Sequence, residues 1–362
     1  MGTRPVLPLL VSMSLPAITS MLIQSLYNVV DSIFVARVSN DALTAVSLAY
    51  PLQNMVLAVA VGFGVGANAY IARNLGEGNQ RNVDRAASMG MVFTTIHAVI
   101  FLLIGLLGSE PFLGMFTNDP EILRMSSSYT RIVICLSFGS LYHIYIEKLF
   151  QAVGNMFVPM ILQGVGAIVN IVLDPILIFG LLGLPALGVT GAAVATVAGQ
   201  MTACSLPVLY FFRTNPGIHI TLPDMRPDRS IAKRIYAVGV PSGLMTAMPS
   251  LLVGILNALL VELHALAVAA FGLYFKLQTF VYMPANGLIQ GMRPLISYNY
   301  GAGRQDRMRH IIRWSLILTA VIMAAGTLLA WLLPTQIMGL FDADRALIAL
   351  SLIHISEPTR RS

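Results

Sequence analysis

Asn170 and Asp174 stand four residues apart inside the apolar run Ile168-Val169-Asn170-Ile171-Val172-Leu173-Asp174-Pro175-Ile176. A helix stacks such a pair on one face, one turn above the other. Pro175 has no amide proton to give the carbonyl of Ile171, which loosens the backbone beside the carboxylate. A carboxylate in apolar surroundings is costly unless it has a partner or a task. Asp31 is a second one, and Gln24, Tyr27 and Asn28 precede it at helical spacing to form a polar stripe. Two carboxylates in one apolar bundle repel, and a shared proton relieves the repulsion, so the pair can work as a proton relay. Asp31, Asn170 and Asp174 equally offer oxygen ligands for sodium, so the residue types leave the ion open. The structural alternatives are a helix-end role for Asp31, with Arg37 close behind, and interhelical bonding for Asn170 and Asp174.

The elements that must carry these groups are membrane helices. The 362 residues are 56% hydrophobic and 10% charged, whereas soluble domains carry about 25% charge. Spans of about 20 apolar residues are expected at 9–35, 43–72, 86–108, 124–150, 157–180, 188–212, 235–261, 266–298 and 308–333, with a tenth from near 345. The apolar start runs on through Tyr27 to Asp31 and is a first span rather than a cleaved signal. Loop charge alternates: Arg73, Arg81 and Arg85 follow the second span, and Glu110, Asp119 and Glu121 the third. Arg304, Arg307, Arg309 and Arg313 follow the eighth span, and Asp342 and Asp344 the ninth. Basic loops face the cytoplasm, which puts the N-terminus inside. The basic residues form no single patch, so no nucleic-acid partner is expected. Cys135 and Cys204 lie in apolar runs and suggest neither disulfide nor metal site.

The chain repeats itself at an offset of 225 residues. Pro16 falls on Pro241, Gln53 on Gln278, Gly62 on Gly287 and Gly66 on Gly291; Asn74-Leu-Gly76-Glu-Gly78 falls on Asn299-Tyr-Gly301-Ala-Gly303. Six spans separate the copies, so the repeats run parallel about an axis along the membrane normal, an arrangement of transporters that rock two bundles. The expected division is an N-terminal six-helix lobe (1–212), a polar cytoplasmic linker (213–232) and an incomplete C-terminal lobe (233–349). Residues 350–362 resemble translated adapter sequence and are expected to be a non-native tail. Asp31 and Asn28 fall on Leu256 and Val253 in the second copy, which concentrates the ionisable chemistry in the first lobe.

The segment Tyr27-Asn28-Val29-Val30-Asp31-Ser32-Ile33-Phe34-Val35 resembles the first-helix motif of multidrug and toxic compound extrusion (MATE) transporters. Asn170-Ile171-Val172-Leu173-Asp174-Pro175-Ile176 with Phe179-Gly180 is similar to the family's fifth-helix motif, and Asn74-Leu75-Gly76 and Gly188 to Thr196 also fit. The resemblance covers about residues 5 to 340 and is closest to the branch containing the DNA-damage-inducible subfamily. It implies an all-α polytopic membrane protein of two six-helix lobes. Twelve spans are then expected, of which nine to ten are present. It also implies export of cationic or amphiphilic compounds by proton or sodium antiport, with Asp31, Asn170 and Asp174 as the coupling residues. Glu147 departs from the asparagine expected there; it is either a third cavity carboxylate or half of a surface pair with Lys148.

Gln24, Tyr27, Asn28, Gln53, Lys276 and Gln278 are the candidates for a substrate cavity, with Arg293 near a helix end, where it can snorkel. Pro16 and Pro241 lie inside matched spans and are candidate hinges; static kinks are the alternative. A monomer in a bacterial or archaeal plasma membrane is expected, with no cofactor beyond the coupling ion. A lipid-linked oligosaccharide flippase of the same superfamily is the alternative transport reading, which wants several cavity arginines. His97, His143 and His264 are scattered singly and form no catalytic set, so an enzyme is not expected.

Overall fold

The computed structural model of the chain describes residues 1–214, 217–263 and 265–332. Ten α-helices follow one another: α1 (Val6–Ala36), α2 (Asn40–Glu77), α3 (Gln80–Leu113), α4 (Pro120–Cys135), α5 (Phe138–Ala152), α6 (Phe157–Phe179), α7 (Val189–Thr214), α8 (Arg229–Leu263), α9 (Ala265–Gly301) and α10 (Gln305–Leu332). No strand occurs among the described residues. Six of these helices are long and apolar enough to span a membrane, and the bent pair α4–α5 makes a seventh. Helices satisfy their own backbone groups, which a bilayer demands. Side chains cap several ends: Ser39 Oγ accepts from the Ala42 amide at 2.9 Å, and Asp119 Oδ1 from the Glu121 amide at 2.8 Å.

The single span expected at 124–150 is two helices, α4 and α5, bent by 41° at Leu136–Ser137. The run Ser137-Phe138-Gly139-Ser140 explains the break, because serine and glycine together weaken the helical ladder. Gly139 also lets α7 approach, since a Cβ there would lie 2.9 Å from Met201 Sδ. Helices α1 and α8 run unbroken through Pro16 and Pro241. The tenth span expected near 345, Asp342, Asp344 and the tail at 350–362 lie outside the described residues.

The 225-residue offset reappears as matched contacts. α8 packs along α2, and α9 along α1 and α2. A Cβ on Gly62 would sit 2.8 Å from Gly243 Cα, and one on Gly287 would sit 2.8 Å from Ile18 Cα; Ile18 and Gly243 are themselves 225 apart. Gly66 meets Gly239 as Gly291 meets Ser14, and Gly76 lies under the Tyr298 carbonyl as Gly301 lies under that of Arg73. Buried Asn74 and Asn299 each donate through Nδ2 to the carbonyl four residues back, at 2.9 and 2.8 Å. Gly78 and Gly303 then close their helices at φ 72° and 69°, the left-handed C-cap that glycine adopts without strain. These contacts zip the two halves together at the end that carries the basic loops. Arg304 and Arg307 reinforce that end by donating to the carbonyls of Gly2, Met1 and Arg4.

The linker is bound to α3. His219 N donates to Asp84 Oδ1 at 2.8 Å, Thr221 N to Ser88 Oγ at 3.0 Å, and Gln80 Nε2 to the Gly217 carbonyl at 2.8 Å. Ile218 is buried, which stabilises this attachment by about 1.5–3 kcal/mol. Asp228 caps α8, its Oδ1 accepting from the amides of Ser230 and Ile231, with Arg85 at 3.2 Å.

Gly76→Ala and Gly301→Ala each overpack the zipped end and lower thermal stability in detergent by about 1–3 kcal/mol, to a similar extent; Gly108→Ala, whose added Cβ meets nothing closer than 3.7 Å, leaves it unchanged. The amides of Ile231 and Ser230, aided by Arg85, hold the Asp228 carboxyl below its ordinary range. A depressed carboxyl contributes stability above its unfolded value and loses it as pH falls through the folded one. Asp228→Ala is therefore less stable than the parent at neutral pH, and the difference closes in acid.

Candidate functional site

A cavity of about 680 Å³ opens between α1, α2, α4, α5, α6, α7 and α9. Among the described residues, most of the wall comes from the N-terminal half, with Gln290 and Arg293 of α9 on one side. Gln24, Tyr27, Asn28 and Asp31 of α1 line it, with Gln53 of α2, Tyr129 of α4, Glu147 and Lys148 of α5, and Asn170 of α6. The polar stripe expected on α1 therefore faces one space. Gln53 Nε2 donates to the Tyr129 hydroxyl at 3.3 Å, tying α2 to α4 across the wall.

Asp174 is fully buried behind this wall. Its carboxyl and that of Asp31 lie within hydrogen-bonding reach of each other. Asn170 Nδ2 approaches Asp174 Oδ1 at 3.5 Å, a long contact of modest strength. Asp31 Oδ1, Asp174 Oδ2 and Asn170 Oδ1 are buried without a donor. Two ionised carboxylates offer only acceptors, so the contact lacks a donor until a proton or a cation enters. One proton would make it a hydrogen bond. No group of three His, Cys, Asp or Glu side chains fit for a metal occurs among the described residues.

Glu147 behaves differently. Lys148 Nζ lies 2.9 Å from Glu147 Oε1 and also reaches Gln151 Oε1 at 3.0 Å and Gln290 Oε1 at 3.2 Å. Gln151 Nε2 donates to the same Glu147 oxygen. The Lys148 and Glu147 side chains are only 7% and 15% exposed, so the alternative of a surface pair is replaced by a buried one. Neighbours on a helix point about 100° apart, yet the long lysine stem folds back to its partner. Glu147 is thus charge-balanced, whereas Asp31 and Asp174 have no cation beside them among the described residues.

Gln278 is half-buried and is not among the described residues that line this cavity. The Lys276 side chain lies outside the described residues. The wall also holds Gln163, Gln200, Gln290 and Arg293, which sequence reasoning missed or set aside. Arg293 faces the cavity because α9 continues two turns beyond it to Gly301. Polar residues inside an apolar run were the available signal for all four.

An all-helical bundle with a polar cavity and orphaned carboxyls inside apolar helices defines a membrane transporter. The MatE family model matches residues 16–176 and 241–356, and the chain belongs to that family. It is 26% identical over 350 residues to the multidrug export protein MepA of Staphylococcus aureus (strain N315), covering 96% of this chain and 76% of that protein. It is likewise 26% identical over 339 residues to MepA of Staphylococcus saprophyticus, covering 93% and 74%. Among solved structures it is similar to a MATE protein in complex with MaL6, at 25% identity and TM-score 0.90, over 96% of this chain and 77% of that one.

Lys148→Ala leaves Glu147 buried and unpaired, which costs about 3–5 kcal/mol in detergent unfolding. Adding Glu147→Gln removes the stranded charge and recovers most of that loss.

Proposed function

We propose that the chain is a secondary antiporter that exports cationic or amphiphilic compounds in exchange for protons or sodium. The observation that carries this reading is the facing, orphaned pair of Asp31, in the wall of a drug-sized cavity, and Asp174, buried directly behind that wall. The pair is a two-state element: empty, it holds two like charges in contact; loaded with one ion, it is a bonded contact between α1 and α6. Loading therefore pulls α1 toward α6, and unloading releases it.

Pro16 lies between Ser14 and Ile18, which press on Gly291 and Gly287; Pro241 lies between Gly239 and Gly243, which press on Gly66 and Gly62. Both candidate hinges thus sit at the zipped contact, where a change of bend is felt by the opposite half. With basic loops in the cytoplasm and the N-terminus inside, the zipped end is cytoplasmic and the cavity faces out. We assign the protein to a bacterial or archaeal plasma membrane, acting as a monomer with an N-terminal six-helix lobe (1–212), a linker (213–232) and a second lobe (233–349). The name of the MepA relatives supports drug-like substrates. The flippase alternative is weaker, because Arg293 is the one arginine on the described cavity wall.

Ethidium efflux from proteoliposomes, driven by a pH gradient with and without sodium, tests the reading. Asp174→Asn and Asp31→Asn are each expected to export at under about a tenth of the parent rate, the scale of losing more than 1.4 kcal/mol of coupling. Export by Asp174→Asn at the parent rate under both gradients would sink it.

A further inference from the structure

We propose that the cavity contains a separate anion subsite built on the Arg293 guanidinium, which takes the carboxylate of an amphiphilic ligand. The proposal deepens the export reading and rests on it for the substrate class. Four charged side chains line the described wall: Asp31, Glu147, Lys148 and Arg293. Glu147 is taken by Lys148 at 2.9 Å, and Asp31 faces Asp174. Arg293 remains, half-buried on the wall, with no acidic partner among the described residues.

An arginine keeps its charge in such a place because its guanidinium does not give up a proton. A stranded cation in an apolar bundle is costly, and an arriving anion relieves that cost. The planar fork matches a carboxylate through two parallel hydrogen bonds. One turn back, Gln290 is already held in place, its Oε1 accepting from Lys148 Nζ at 3.2 Å. Gln290 lines the same cavity as Arg293.

Position separates this subsite from the carboxyl pair. Gly291 of α9 lies against Ser14 of α1, which sets Arg293 near that level. Ser20 is the α1 wall residue nearest that level, and Asp31 is 11 residues further along α1, about 17 Å at the helical rise. A ligand carboxylate therefore docks near the zipped end while ion exchange takes place far from it, and the two communicate through α1.

The test is dye binding to the purified full chain in detergent by fluorescence polarisation. It uses rhodamine 110, which bears a free carboxylate, and rhodamine 123, its methyl ester on the same ring system. The expected result is at least tenfold tighter binding of rhodamine 110, with the preference abolished in Arg293→Gln and partly kept in Arg293→Lys. Equal binding of the two dyes, or a preference that survives Arg293→Gln, overturns the subsite. So does a parent protein that binds no rhodamine 110. Failure of the export reading is distinguishable: a parent chain that prefers rhodamine 110 but moves no ethidium under either gradient keeps the subsite and loses the antiporter.

Discussion

The contact between the Asp31 and Asp174 carboxyls is the constraint on which the N-terminal half turns. Each side chain sits among apolar helices with an oxygen that no donor satisfies, and burying such groups unpaired costs several kcal/mol. Packing does not need them: Asp174 fills a fully buried position that an apolar side chain of similar size would fill without that penalty. Their retention makes sense when an ion supplies the missing donor and then leaves. A tightly paired carboxylate cannot serve in this way, and Glu147, neutralised by Lys148, shows the difference inside the same cavity.

On the proposed antiport reading, the rest of the architecture is what would convert that local event into movement. Close glycine contacts between α2 and α8, and between α1 and α9, let backbones approach without intervening side chains. Packed interfaces of this kind switch between discrete arrangements rather than deforming smoothly. The near-identical geometry at Gly62 and Gly287, and at Gly76 and Gly301, places the two halves about a pseudo-twofold axis. Among the described residues the cavity wall draws mainly on the first half, with Gln290 and Arg293 reaching in from the second.

Much of this was legible in the sequence. Asp31, Asn170 and Asp174 stood out because polar residues interrupt long apolar runs, and the 225-residue offset was visible because Asn74-x-Gly76-x-Gly78 recurs without gaps. The α4–α5 break was not, since hydropathy averages across Ser137-Phe138-Gly139-Ser140 and a 41° bend leaves no mark on it. Arg293 was undervalued by its closeness to a helix end, when the helix in fact carries on beyond it. The Glu147–Lys148 pair could not be assigned from adjacency alone, because adjacent helical residues diverge and only the fold shows the lysine turning back.

The most direct test of the central claim is infrared difference spectroscopy of the protonated carboxyl stretch, recorded as ethidium binds in the absence of sodium. A shared proton on the pair predicts one carboxyl band in the parent that disappears on binding and is missing from both Asp31→Asn and Asp174→Asn. Sodium added alone is predicted to remove the band as well if the two ions compete for the same oxygens. A band that persists unchanged in Asp31→Asn would contradict the account, because the proton would then belong to another group.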